Sequence, residues 1–96
     1  MARFTVVIHH RFPKELKAIE RAGRKDVVRR ILSSLRLLEE DPFQARSGLD
    51  IKQLAIAGGP VFRLRVGDYR ALYEVDTASK KVFVTTVFHR GRGYRH

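Results

Sequence analysis

The chain has 96 residues, in which 20 lysines and arginines stand against 10 aspartates and glutamates, and it contains no cysteine. This length predicts a single domain over residues 1–96. The absence of cysteine excludes a disulfide framework, a thiolate metal site and a cysteine nucleophile. No apolar run approaches the roughly 20 residues that cross a bilayer. We therefore expect a cytoplasmic protein without a membrane partner.

The net charge of +10 is the most informative property of the composition. A basic excess of this size attracts polyanions such as nucleic acid or an acidic protein. Most of the cations are arginines, whose planar fork suits phosphate and carboxylate groups. The alternative is a basic surface that serves solubility alone.

The first half of the chain predicts one strand followed by two helices. The short β-branched run Phe4–His9 indicates a strand. Apolar residues then recur at helical spacing from about Pro13 until Gly23, which ends the segment. A longer amphipathic helix is predicted over Lys25–Glu40. The two helices, joined by a tight Gly-Arg link, resemble an αα-hairpin.

The second half predicts strands. A strand or turn is expected near Ile51–Leu54. Val61–Val66 and Tyr69–Asp76 alternate between apolar and polar residues around a two-residue Gly-Asp link, which predicts a β-hairpin, although Gly-Asp is a less favoured order than Asp-Gly. Lys81–Phe88 follows as a further strand. We therefore predict an α+β fold: an N-terminal strand, an αα-hairpin and a C-terminal antiparallel β-meander with the helices on one face.

The predicted hairpin register gathers arginines. Closing the turn at Gly67-Asp68 places Arg65 opposite Arg70 and puts Arg63 on the same face. Like charges directly opposite on a sheet are destabilising by up to about 1 kcal/mol. The grouping is explained if an anion such as a phosphodiester lies between the guanidinium groups. The alternatives are a solvated cationic face, or arginines paired with the two nearby acids, Asp68 and Glu74.

The C-terminal residues 89–96 add further cations. Three arginines, two histidines and one tyrosine occur there without an acid. Such a segment is typical of a frayed basic terminus, yet arginine beside an aromatic ring also suits unpaired RNA bases.

Two runs of this sequence resemble RelE-type toxins of the RelE/ParE superfamily of toxin–antitoxin systems. The first is FRLRVGDYRALYEV, residues 62–75, and the second is VTTVFHRGRGYR, residues 84–95. The preceding strand and αα-hairpin fit the same order, so the resemblance covers essentially the whole chain.

The resemblance implies a metal-independent endoribonuclease that cleaves mRNA at the ribosomal A site, without a cofactor, using the 2′-hydroxyl of the RNA as nucleophile. It implies a cognate acidic antitoxin as a second partner. It assigns Arg70 to the scissile phosphate, Arg90 to transition-state and leaving-group charge, and Tyr94 to base stacking or proton transfer. His89 is a possible acid or base. The remaining basic positions expected to bind RNA phosphate are Arg63, Arg65, Arg92 and Arg95.

Two other functions remain open from the sequence. The first is a ParE-like inhibitor of DNA gyrase, which shares the fold but does not require the set formed by Arg70, Arg90 and Tyr94. The second is a member of the superfamily that binds RNA without cutting it.

Overall fold

A computed structural model describes residues 3–54 and 59–91 of the chain. It contains two helices and five strands in the predicted order. Within the described residues, no helix has both the length and the apolar character needed to cross a membrane. The elements, in chain order, are β1 (Thr5–Ile8), α1 (Phe12–Arg21), α2 (Lys25–Leu38), β2 (Asp50–Leu54), β3 (Val61–Val66), β4 (Tyr69–Asp76) and β5 (Lys81–His89).

The strands form one mixed sheet with the order β1-β5-β4-β3-β2. Strands β2 to β5 are antiparallel neighbours in sequence order, so the predicted meander is confirmed and β2 extends it. The N-terminal strand pairs parallel to β5 at the opposite edge. The α+β class is therefore confirmed. The predicted boundaries need small corrections, since β1 and α2 are shorter than expected and β5 includes His89.

The two helices form the predicted αα-hairpin on one face of the sheet. Pro13 lies in the first turn of α1, where its missing N–H is not needed. Gly23 follows the helix with a φ of 84°, a left-handed conformation that favours glycine. Both helices turn their apolar sides toward the sheet, and alternate residues of β3, β4 and β5 meet them. The most deeply buried of these are Phe12, Val27, Ile31, Leu38, Leu64, Tyr73, Val82 and Val84.

Tyr73 anchors the middle of the core to the segment that follows α2. Its ring is fully buried and stacks on Phe62 at a centroid distance of 5.4 Å. Its hydroxyl donates a 2.7 Å hydrogen bond to the backbone carbonyl of Pro42, which satisfies the polar end of a buried ring. Burial raises the pKa of Tyr73 far above its usual range, so the hydroxyl remains a donor.

The β3–β4 turn explains why Gly-Asp works in this hairpin. Gly67 has a φ of 58°, and Asp68 does not share this positive φ. A type II′ turn requires glycine at the first of its two central positions, and its twist matches that of the strands. The Gly-Asp order is therefore the suitable one here.

A β-bulge shifts the register between β4 and β5. Leu72 pairs with Thr86 and Tyr73 with Val84, so Thr85 is the extra residue. Helix α1 holds this irregular segment, because the carboxylate of Glu15 accepts hydrogen bonds from the Thr86 hydroxyl and the Val87 N–H at 2.7 and 3.0 Å. The bulge thereby fixes which face the last residues of β5 occupy.

Candidate functional site

The predicted register of the arginine hairpin is confirmed. Arg65 lies directly opposite Arg70, and Arg63 lies opposite Leu72. Their alternate neighbours point into the core, so these arginines lie on the sheet face that the helices do not cover. We call this face the outer face.

Asp50 of β2 lies beside the two arginines of β3. It faces Arg65 in the β2–β3 register, and its carboxylate lies 3.4 Å from Nη2 of Arg63 and 4.0 Å from Nη1 of Arg65. One half-exposed carboxylate therefore serves two guanidinium groups, which leaves excess positive charge. Within the described residues, the Nε of Arg63 is buried and has no hydrogen-bond partner. An unsatisfied buried donor of this kind favours an additional acceptor on the outer face.

Arg70 is held against the hairpin turn by its own side chain. Its Nη1 donates hydrogen bonds to the carbonyl oxygens of Gly67 and Tyr69, both at 3.1 Å. The side chain is half-buried, and these bonds restrict its rotamers. A guanidinium held in this way is preorganised to meet an anion at the turn.

Arg90 reaches the same turn from the end of β5. Its backbone N–H donates a 2.8 Å hydrogen bond to the carbonyl of Asp68, and its Nε lies 3.6 Å from the Asp68 carboxylate. This side chain and its acid are both more than half exposed, so the ion pair is worth little and is readily exchanged. The pairing with Asp68 that the sequence suggested therefore occurs, but at Arg90.

Three arginines, one from β3, one from β4 and one that follows β5, thus surround the Gly67-Asp68 turn, and we call Arg65, Arg70 and Arg90 the turn cluster. The sequence separates them by up to 25 positions, and the hairpin and the end of β5 bring them to one corner of the sheet. The ion pairs of Arg63, Arg65 and Arg90 involve only two carboxylates, Asp50 and Asp68. The arrangement can therefore bind an anion and stabilise additional negative charge on it.

His89 lies on the other side of the sheet from the outer-face arginines. It pairs with Tyr69, and the two rings meet edge to face at a centroid distance of 5.2 Å. Both rings line a groove of about 560 Å³ between α1 and the ends of β4 and β5, which also contains Glu15. The Nδ1 of His89 accepts a hydrogen bond from the N–H of Gly91, so Nε2 is the nitrogen left for proton transfer.

The other predicted site residues, Arg92, Tyr94 and Arg95, lie outside the described residues. In residues 3–54 and 59–91, no group of three or more histidines, aspartates or glutamates is placed to hold a metal ion.

Sequence reasoning missed two contributors to this charged region. Asp50 was not recognised because its position beside the arginines depends on the β2–β3 register, which the sequence did not predict. The guanidinium of Arg30 was missed because α2 brings it to the hairpin turn only through tertiary packing. Its Nη1 lies 3.5 Å from the position that a Cβ on Gly67 would occupy.

The family follows from comparison with known proteins. Residues 6–94 match the model for the ParE toxin of the type II toxin–antitoxin system parDE. The chain therefore belongs to this family, and it is a toxin of the RelE/ParE superfamily. A comparison with curated proteins found no match.

Solved structures agree with this membership. The chain is similar to one in the archaeal RelE–RelB complex from Pyrococcus horikoshii OT3, with 31% identity, a TM-score of 0.76 and coverage of 97% of this chain and 100% of that one. A chain of the RelB–RelE antitoxin–toxin complex from Methanococcus jannaschii is 25% identical, with a TM-score of 0.69 and coverage of 94% and 99%. YafQ from E. coli, with 11% identity, a TM-score of 0.76 and coverage of 97% and 100%, shares the fold.

Proposed function

We propose that this toxin is a metal-independent endoribonuclease that cleaves mRNA in the ribosomal A site and is therefore cytoplasmic. The observation that carries the proposal is the turn cluster, because three guanidinium groups at one corner of a sheet suit a phosphodiester. The similarity to RelE chains supports the same reaction. The gyrase alternative is less favoured, since the turn cluster suits a phosphate group and RelE chains are among the structures that this chain resembles.

The reaction requires only the substrate and protein side chains. The 2′-oxygen attacks the adjacent phosphorus while the bond to the 5′-oxygen breaks, which gives a 2′,3′-cyclic phosphate and a 5′-hydroxyl end. One proton leaves the 2′-hydroxyl and one reaches the departing 5′-oxygen. Charge accumulates on the phosphoryl oxygens between these events, and fixed cations nearby lower the barrier.

Each proposed residue has a separate task. Arg70 contacts the scissile phosphate, because the turn carbonyls hold its guanidinium in place. Arg90 exchanges its exposed pairing with Asp68 for the charge of the transition state and leaving group. Tyr94 stacks on a base or moves a proton, and His89, whose ring lies on the other side of the sheet from Arg70, is the less favoured candidate acid or base. The RNA phosphates on either side of the scissile bond are bound by Arg63, Arg65, Arg92 and Arg95.

An acidic antitoxin fits the same face. The outer face also carries exposed apolar side chains, among them Val7 and Phe83, which are neighbours in the β1–β5 register. An amphipathic helix could pack its apolar side there while its carboxylates meet the arginines. Such a helix would silence the toxin by occupying the phosphate site.

The test is cleavage of a defined mRNA by the purified chain, mapped by primer extension with and without programmed ribosomes. We expect codon-phased cuts only with ribosomes. The double variant Arg70→Ala/Arg90→Ala should make no cuts. The control Arg21→Ala, which removes an exposed cation from α1, should cut normally.

Cutting by the double variant would overturn the assignment of the arginines. A wild-type chain that leaves mRNA intact but blocks supercoiling by purified gyrase would instead establish the ParE-like function. A chain that binds RNA, cuts none and does not arrest growth would be a non-cleaving member of the superfamily.

A further inference from the structure

A second arginine-lined cleft lies between α2, the segment that leads into β2, and the end of β3. Two adjoining depressions of about 540 and 300 Å³ share Arg30, Gly48 and Arg65 among their lining residues. Arg29 and Ser33 of α2 line the smaller one. We call this space the helix cleft and define it by Arg29, Arg30, Ser33 and Arg65.

The helix cleft is continuous with the turn cluster. Arg65 belongs to both, since it faces Arg70 across the hairpin and also lines the cleft. From α2, Arg30 approaches the turn glycine, Gly67. A row of guanidinium groups therefore runs from the end of β5, across the β3–β4 turn, to α2.

The charges of the two α2 arginines in the cleft, Arg29 and Arg30, are available to a ligand. Within residues 3–54 and 59–91, no ion pair joins Arg29 or Arg30, and both are exposed. Asp50 is the one carboxylate among the described lining residues, and it lies beside Arg63 and Arg65. Arg46, which also lines the cleft, is engaged differently: it donates hydrogen bonds to the backbone carbonyls of Leu37, Asp41 and Gln44.

We propose that the helix cleft binds a phosphodiester of RNA, at a point on the backbone away from the bond that is cut. Two neighbouring guanidinium groups and the Ser33 hydroxyl provide donors suited to phosphate oxygens. The proposal rests on RNA being the substrate of the turn cluster, and it adds a binding site whose α2 residues, Arg29, Arg30 and Ser33, take no part in the chemistry.

The lining of the cleft favours RNA over an acidic amphipathic helix. Of the apolar residues that line it, Leu49 and Val66 are only 2% and 4% exposed, Leu37 is half-buried, and Ala45 is exposed but small. A helix docked there would find only part of one leucine and one alanine to cover, so most of its own apolar side would stay in water. A nucleic-acid backbone needs only the cations, which the cleft supplies.

The experiment measures RNA affinity separately from cleavage. The probes are a short single-stranded 2′-O-methyl RNA, which lacks the attacking hydroxyl, and vacant small ribosomal subunits. The test variant is Arg29→Ala/Arg30→Ala, and the control is Lys17→Ala/Arg21→Ala, which removes two exposed cations from α1. Alanine is the best helix former, so both variants should keep the fold. Polyglutamate serves as the acidic-peptide probe.

We expect the test variant to bind RNA about tenfold more weakly. The slope of log affinity against log salt should fall by about 0.7 for each RNA phosphate that the variant no longer neutralises. Weaker binding of the oligonucleotide assigns the cleft to mRNA, and weaker binding of the ribosomal subunits alone assigns it to ribosomal RNA.

Unchanged affinity for both RNA probes, or an equal loss in the control, would overturn the proposal. If the test variant loses more affinity for polyglutamate than for RNA, the proposal is also overturned, and the cleft is assigned to an acidic protein. If the wild type fails to cleave mRNA on ribosomes while the variant still loses RNA affinity, the nuclease assignment fails. The assignment of the helix cleft as an RNA-binding site is then retained.

Discussion

Replacing Asp50 by asparagine should weaken the fold and strengthen RNA binding at the same time. The carboxylate lies 3.4 Å from Arg63 and 4.0 Å from Arg65, and its side chain is 51% exposed. Exposed ion pairs contribute about 0.2–1 kcal/mol each after solvent screening, so the two together stabilise the fold by about 1 kcal/mol. For a domain of this size, losing that amount lowers Tm by about 4–8 °C.

RNA binding should change in the opposite direction. In the wild type, a phosphate must compete with Asp50 for Arg63 and Arg65. Removing this competitor should make the free energy of RNA binding about 0.5–1 kcal/mol more favourable, which is about a two- to fivefold gain in affinity at low salt.

Thermal unfolding and titration of the 2′-O-methyl RNA measure the two effects of Asp50→Asn. As a control, Glu39→Gln removes a carboxylate that pairs with Arg3 beside β1, at the opposite edge of the sheet from β2. It should leave RNA affinity within about twofold of wild type. An Asp50 variant that binds RNA no better than this control would refute the view that the outer-face arginines are poised for an anion.

Three further changes test other contacts. Tyr73→Phe leaves the buried Pro42 carbonyl without its 2.7 Å donor, so we expect a loss of about 1–2 kcal/mol of unfolding free energy, measured by urea denaturation. His89→Ala should reduce the cleavage rate on ribosomes less than about tenfold, because the ring lies on the helix side of the sheet and not with Arg70. A loss of rate as large as that of Arg70→Ala would make His89 a catalytic residue. The hydrogen bonds from Ser79 and Ala78 lower the pKa of Asp76, so its stabilising effect is present above the ordinary aspartate pKa and is lost as the pH falls through the lowered value. Asp76→Asn should therefore reduce the difference in Tm between neutral and acidic buffer.

Much of the fold could be predicted because its signals are local. The alternation of Val61–Val66 and Tyr69–Asp76 around Gly67-Asp68 fixes strand ends, turn and register together, and the observed pairing of Arg65 with Arg70 follows from it. The helical hairpin was similarly predictable from its apolar spacing and from Gly23.

Contacts between distant segments could not be predicted in this way. The position of β1 at the edge beside β5 pairs the two ends of the chain, such as Thr5 with Lys81, and no local pattern specifies it. The bulge at Thr85 depends on Glu15 reaching from α1. Asp50 and Arg30 likewise reach the charged region through packing, so the sequence predicted the cations of the hairpin but not the acid that partly balances them.

The central claim is that the turn cluster stabilises charge on a phosphate during cleavage. Its most direct test is the single-turnover rate constant of cleavage by Arg70→Ala, measured on programmed ribosomes at a saturating concentration of toxin. The variant Arg70→Lys is measured beside it, because lysine keeps the charge but loses the planar fork. We predict that the alanine variant cleaves at least about 100-fold more slowly, and the lysine variant at an intermediate rate, with both still folded by circular dichroism. A folded alanine variant whose rate constant lies within about threefold of wild type would contradict the account.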